Sequence, residues 1–349
     1  MSKEAAEETP RATAWGQAAR PWIAVLLLVM ILLLSFGVGK YGTSPDQVWA
    51  VLLSKLTGQP AGVDPAVETV VWQVRLPRIL AACLVGAALA AAGATYQGMF
   101  RNPLVSPDIL GVSAGASLGA ILGIFLSLPV LIIQLLAFVG GLAAVVIVYV
   151  VGASVRRHDP ILVLVLAGIA VGTLLGAAVS LLKILADPYN QLPAITYWLL
   201  GSLTAVTRGD LFAILPAILL GLAPLYLLRW RMNLLTLGED EARALGVETR
   251  RLRVVFIAAA TLMTAAAVSV TGIIGWIGLL MPHIARFLVG PDFARLLPAS
   301  LLLGGGYLVL VDMLARSIAP IEVPLGILTA FLGAPFFLWL LATARRGWQ

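Results

Sequence analysis

Two histidines, one cysteine and 17 acidic side chains are all that this chain of 349 residues offers to acid–base, nucleophilic or metal chemistry. Gly111-Val112-Ser113-Ala114-Gly115 spells G-x-S-x-G. A nucleophile elbow of that pattern needs a strand before the serine, a helix after it, and a histidine and an acid within reach. Here the surroundings read as apolar helix, so a serine hydrolase or intramembrane protease would require Ser113 to meet His283 in space. Cys83 can form no internal disulfide, and His158 and His283 leave little for a metal site. Gly39-Lys40 lacks the glycine five residues earlier and the Ser/Thr that follows in a phosphate-binding loop, and no H-E-x-x-H or EF-hand pattern occurs. The sequence predicts no catalytic residue, no bound metal and no ATP hydrolysis in this chain.

The elements that carry these residues are set by composition. The chain is 60% hydrophobic and 11% charged, with a mean hydropathy of +1.00. Soluble domains run near 45–50% apolar and about 25% charged, so a water-soluble globule and a disordered chain are both excluded. At roughly 20 residues per crossing, the apolar content allows about ten membrane helices. Apolar runs lie at 22–38, 79–96, 109–126, 129–151, 161–183, 211–228, 254–271, 273–290, 297–315 and 324–344. The expected fold is all-α: a polytopic helical bundle of about ten spans filling 21–349 as a single domain, after a cytoplasmic tail at 1–20. The first span is read as retained, since no clear small-x-small cleavage site follows it. Residues 194–203 are apolar but too short to cross, which fits a half-helix folded back into the bundle or lying at its surface.

Ten spans with the N-terminus inside put 16 of the 23 Lys and Arg on the inner side, in agreement with positive-inside orientation. Both termini are then cytoplasmic. The net charge of +6 follows this topology, and no basic patch with interleaved aromatics suggests nucleic acid. Seven basic residues remain outside: Lys40, Lys55, Arg75, Arg78, Lys183, Arg208 and Arg316. The outer loop at 40–74 carries Ser44-Pro45-Asp46-Gln47, a capping box with proline at the first helical position, and a helix expected to end at Gly58. Arg75-Leu76-Pro77-Arg78 and Arg251-Leu252-Arg253 each open an Ala/Gly-rich span followed by a proline-containing segment. On this topology the two copies run in opposite directions, as an inverted repeat does.

Gly111, Gly115, Gly119 and Gly123 recur every four residues, as do Gly168, Gly172 and Gly176. Each row occupies one helix face, suited either to ordinary close packing in lipid or to a pair of sliding helices lining a path. Asp312 and Arg316 are placed to pair across one turn. No carboxylate or histidine falls clearly at mid-membrane, where an ion-coupled carrier usually needs one, so the driving energy is expected from another subunit. In the inner loop at 229–253, Glu239, Asp240 and Glu241 open a short helix through Ala242, Arg243 and Leu245, with Gly246 as its cap. Ala242, Leu245 and Val247 could form an apolar patch. The loop is either a solvated connector or a docking helix for a cytoplasmic partner.

Taken in order, several blocks are similar to the permease family of binding-protein-dependent ABC importers for iron-siderophores, haem and cobalamin. They are Arg75-Leu76-Pro77-Arg78, Gln97 to Leu104, Pro107 to Gly115, Leu237 to Val247, Gly272 to Leu279 with Pro282-His283-Ile284-Ala285-Arg286, Asp312 to Arg316, Glu322 to Gly326 and Leu332 to Pro335. Trp276 stands where the family often has Phe. The resemblance spans about residues 22–344. It implies a homodimer in a bacterial inner membrane with a path on its axis, two ABC ATPase subunits that bind ATP and Mg on the cytoplasmic side, and an extracytoplasmic substrate-binding protein. It maps the ATPase-coupling helix onto Glu239 to Leu245. It also maps the outer arginines that receive the binding protein's acids onto Arg75, Arg78 and Arg316, and leaves the Pro282–Arg286 group structural or at the ATPase interface. The implied cargo is an iron chelate, siderophore or haem. The alternatives are cobalamin or an oxyanion, and an ion-coupled secondary transporter.

Overall fold

A computed structural model of the chain describes residues 14–155, 160–235, 239–244, 246 and 248–343, and these are helical with no strand. Helix α1 spans Ala14–Gly37, so helix begins inside the expected N-terminal tail. Helix α2 (Pro45–Thr57) starts as expected: the Ser44 N–H donates to Gln47 Oε1 at 3.1 Å, and Gly58 closes the helix in the left-handed region at φ 74°. Helix α3 (Pro65–Thr69) passes through a π-helical stretch, Val70–Arg75, directly into α4 (Leu76–Met99). A 3-10 turn, Pro107–Leu110, leads into α5 (Val112–Phe125). Then follow α6 (Val130–Ser154), α7 (Pro160–Leu185), the ten-residue α8 (Gln191–Leu200) and α9 (Arg208–Leu227). The short α10 (Arg229–Leu235) and α11 (Glu239–Ala244) precede α12 (Thr249–Thr271), α13 (Ile277–Val289), α14 (Phe293–Ser317) and α15 (Leu325–Thr343).

Six of these stretches are long and apolar enough to cross a membrane, and four shorter apolar helices, in α1, α5, α13 and α15, accompany them. The fold is a helical membrane bundle. Its helices alternate between two ends. One end gathers the C-terminus of α1, the start of α4, the loop after α8 and the α14–α15 loop. The other gathers the end of α4, α10, α11 and the start of α14. Helix α4 runs from the first end to the second and α12 runs back, the opposed directions expected of the two repeat copies.

The core sits around α4, which packs on α12, α13 and α14. Its Ala/Gly-rich sequence explains why. A Cβ on Gly86 would overlap the Gly304 carbonyl of α14, and a Cβ on Gly304 would overlap the Gly86 carbonyl. A Cβ on Gly93 would overlap the Gly278 carbonyl of α13. With no hydrophobic drive between helices in lipid, this backbone-to-backbone approach is a main source of cohesion. Pro282 lies inside α13 and has no N–H to give the Gly278 carbonyl four residues earlier. Gln97 of α4 supplies a replacement: its Nε2 donates to the Gly278 and Leu279 carbonyls at 3.3 and 3.1 Å, while Arg286 Nη2 donates to its Oε1 at 3.1 Å.

Candidate functional site

The first end carries a buried ionic cluster. The π-helical entry to α4 brings Arg75 and Arg78 to the termini of α1 and α14. Arg78 Nε donates to Asp312 Oδ1 at 2.8 Å, and its Nη1 donates to Glu322 Oε2 at 2.8 Å and Oε1 at 3.0 Å. Arg316 pairs with Asp312 Oδ2 at 3.0 Å, the one-turn pair expected from the sequence, and donates to the Ser35 hydroxyl and to the Ser35 and Val38 carbonyls. Arg75 donates to the Phe36 and Tyr41 carbonyls and to Thr43 Oγ1. Gly39 is threaded between Arg75 and Arg316 at φ 147°, where a Cβ would stand 3.0 Å from the Arg75 guanidinium.

Arg75, Arg78 and Arg316 therefore share one rim, but they are not laid out as exposed receivers. Arg75, Arg78 and Arg316 are 4%, 6% and 6% exposed. A guanidinium taken out of water must be matched by charge and hydrogen bonds. Here carbonyls capping the end of α1, Asp312 and Glu322 provide that match. Glu322 was not expected as a partner. The signal was present: it is an acid in the short polar connection between two apolar helices, six residues after Arg316.

Glu322 ties this cluster to a second feature. Thr204 Oγ1 donates to Glu322 Oε2 at 2.6 Å, and Thr204 lies in the loop that follows α8. Three backbones meet there. Ser202 N donates to the Thr271 carbonyl at 2.7 Å, and Leu325 N donates to the Gly201 carbonyl at 2.9 Å. Gly201 at φ 71° faces the Ile273 carbonyl, Gly272 at φ 70° faces the Trp198 carbonyl, and each contact leaves no room for a Cβ. The short α8 is thus the folded-back half-helix that residues 194–203 suggested, keyed into the α12–α13 break and the start of α15. Trp276 caps that break at φ 72°, a left-handed position rare for a large side chain.

The glycine rows divide. Gly115 and Gly119 face the Gly140 and Leu136 carbonyls of α6, and Gly111, at φ 78°, turns the 3-10 segment into α5. Gly168 of α7 sits on the Ile109 carbonyl, whereas Gly172 and Gly176 face open space. The α5 row is therefore a packing seam with α6, while a Cβ on Gly172 or Gly176 would have room within this chain. Ser113 Oγ donates to Asp108, not to a histidine. His283 is 6% exposed, with neither ring nitrogen bonded among the described residues. Among the described residues, no serine–histidine pair is assembled.

At the second end, α11 forms as a six-residue helix beneath α10 and α12. Glu239, Asp240, Glu241, Ala242 and Arg243 lie on it, and Gly246 adopts φ 77° as its expected cap would. Leu245 and Val247 lie outside the described residues. Ala242 is 1% exposed, so it packs inward and does not contribute to a surface patch. Glu241 is exposed.

The FecCD transport family matches residues 26–343. The chain belongs to that family. It is 40% identical over 322 residues to the molybdate import system permease of Haemophilus influenzae, covering 92% of this chain and 95% of that one. It is 44% identical over 281 residues to the cobalamin import system permease of Halobacterium salinarum, covering 80% and 75%. The haemin transport system permease of Yersinia pestis is 39% identical over 330 residues, covering 91% and 95%. A solved structure described as an inward-facing conformation of a metal-chelate type ABC transporter superposes with a TM-score of 0.84 at 38% identity, covering 93% of this chain and 99% of that one. This FecCD chain is a permease subunit of an ABC importer and not an enzyme. Such permeases work with separate ATPase subunits and with substrate-binding proteins.

Proposed function

We propose that two copies of this permease pair about a central path, in a ten-span bundle with both termini cytoplasmic, to import an iron chelate across the bacterial plasma membrane. The observation that carries the reading is α7. It is a full-length apolar helix, 11% buried within the chain, on which a Cβ added at Gly172 or Gly176 would meet no atom within 4 Å. A helix left mostly uncovered within one subunit, with room at its small residues, suits a subunit interface or a path wall. The arginine rim then faces out toward the binding protein. Helix α11, with Glu239, Asp240, Glu241 and Arg243, faces the ATPases, which bind the ATP and Mg. ATP-driven closure of the ATPases moves α11, and the permease copies rock about the path, with α8 as the outer gate.

Cysteine placed at Gly172 or Gly176 in a Cys83→Ala background tests the pairing. Oxidative crosslinking to a dimer is the expected result, and monomer alone would overturn it. Uptake into vesicles holding the permease with its ATPase and binding protein tests the cargo. ATP-dependent accumulation of a ferric siderophore or haem is expected. Accumulation of cobalamin or molybdate instead would replace the iron chelate, and uptake driven by a proton gradient without ATPase would overturn the reading entirely.

A further inference from the structure

The rim cluster is unevenly built, and its unevenness suggests how docking reaches the gate. Three guanidiniums face two carboxylates. Asp312 is bound by both Arg78 and Arg316, and its side chain is fully buried. Among the described residues, Arg78 is the cation that binds Glu322, whose side chain keeps 26% of its surface in solvent. Arg75 donates to neutral acceptors. The cluster therefore holds one positive charge more than its carboxylates neutralise, and a carboxylate arriving from solvent is the ligand it lacks. Such a group can compete for Arg78 only at the open edge, where Glu322 sits. Asp312 cannot be displaced without leaving two buried cations unpaired.

We propose that Glu322 is an exchangeable stand-in for a carboxylate of the docking protein, and that its displacement from Arg78 releases Thr204 and the loop after α8. This rests on the permease reading given above. In the undocked state Glu322 holds Arg78 with one edge and accepts from Thr204 with the same oxygen, Oε2. Arg78 thereby fixes Glu322 in position for Thr204. When the partner's carboxylate takes Arg78, Glu322 is no longer held at the rim. The loop at 201–207 then loses its side-chain tether to the rim, while the backbone bonds from Ser202 to Thr271 and from Leu325 to Gly201 and the buried Leu203 still hold it to the bundle. Glu322 is a positioning residue in this scheme and touches no cargo.

The experiment uses the complete transporter in lipid nanodiscs, with the binding protein encoded alongside it, and compares wild type, Glu322→Gln and Thr204→Val. Removing the internal competitor should tighten docking of Glu322→Gln roughly tenfold, within the range that single interfacial charge pairs command. Thr204→Val should dock as wild type. Hydrogen exchange at 201–207 should rise on docking in wild type and be raised before docking in both variants. Thr204 is exposed, so its variant is expected to fold even if Glu322→Gln does not. Docking of Glu322→Gln that is unchanged or weaker overturns the exchange. So does a 201–207 loop equally protected in all three proteins. If wild type itself docks no binding protein, the permease reading fails instead, and the two failures are thereby told apart.

Discussion

Helices α4 and α7 are both long, apolar and rich in small residues, yet they are used in opposite ways. Within the chain, 78% of the apolar window containing α4 is buried, against 11% for α7. Gly86 and Gly93 of α4 abut backbone of α14 and α13, while a Cβ added at Gly172 or Gly176 of α7 would meet no atom within 4 Å. Helix α4 ends at the rim in a set of charges that lock it to α1 and α14. Helix α7 has only Lys183 near its own end at that side. The contrast separates what holds one subunit together from what a subunit offers to its surroundings. A glycine row on its own does not say which it is.

The sharpest way to break the contrast is at the charged end of α4. Asp312→Ala leaves Arg78 and Arg316 buried without their shared counter-ion. Breaking a buried ion pair from one side costs about 3–5 kcal/mol, a large part of a typical domain's stability. Sharply reduced yield of folded protein, read by size-exclusion chromatography and thermal unfolding in detergent, is expected. A variant that unfolds like wild type would show that the rim charges do not hold α4. The next largest effect comes from the matched pair Gly86→Leu and Gly172→Leu. The first drives side chain into the Gly304 backbone, where overpacking costs about 1–3 kcal/mol or more. The second should leave unfolding of the isolated subunit unchanged while abolishing dimer crosslinking and uptake. Equal destabilisation by both would erase the distinction between α4 and α7.

Much of this architecture was legible in the residues. Apolar runs located the spanning helices because lipid demands about twenty apolar residues per crossing and little else. Ser44 to Gln47, Gly58, Gly246 and the Asp312–Arg316 pair formed as local geometry dictates, since each depends on neighbours within a turn. Arg75, Arg78 and Arg316 do share one end of the bundle, because the order of the spans fixes which helix ends lie together. Their burial was not legible. Whether Arg78 faces water or Glu322 depends on contacts across 244 positions. Gln97 was missed for a related reason: its role exists only because Pro282, far along the chain, frees a carbonyl that α4 happens to approach. The glycine rows stop at the same step, since spacing gives a face but not the neighbour it meets.

Gln97 offers a milder test of the α4 side. Gln97→Leu keeps the volume and leaves the Gly278 carbonyl, which Pro282 cannot serve, without its donor, with Arg286 losing an acceptor. A buried polar group left without its partner costs about 1–3 kcal/mol. A measurable drop in thermal midpoint is expected, with Gln97→Glu not restoring wild type, because a carboxylate cannot donate to the carbonyls. A Gln97→Leu protein as stable as wild type would remove Gln97 from the α4–α13 seam.

The smallest effect expected is on acid sensitivity, and it belongs to the rim alone. Burial by itself would raise the Glu322 carboxyl, but the Thr204 hydroxyl and the Arg78 guanidinium outweigh it and hold the group below its ordinary value. A carboxyl lowered in the folded state binds fewer protons there than when unfolded, so stability rises with pH through that interval. The contribution is complete above the ordinary carboxylate range and fades as pH falls through the lowered value. Glu322→Gln removes the titrating group, so the variant's thermal midpoint should fall less steeply than that of wild type on acidification below the ordinary carboxylate range. Because Glu322 is partly in solvent, water and salt screen the pair, and the difference should shrink further at high ionic strength. Parallel pH profiles for wild type and Glu322→Gln would mean that Glu322 makes no stabilising bond to Arg78 in the folded protein. The rim would then be held by Asp312 alone, and the loop after α8 would have no charged tether to lose.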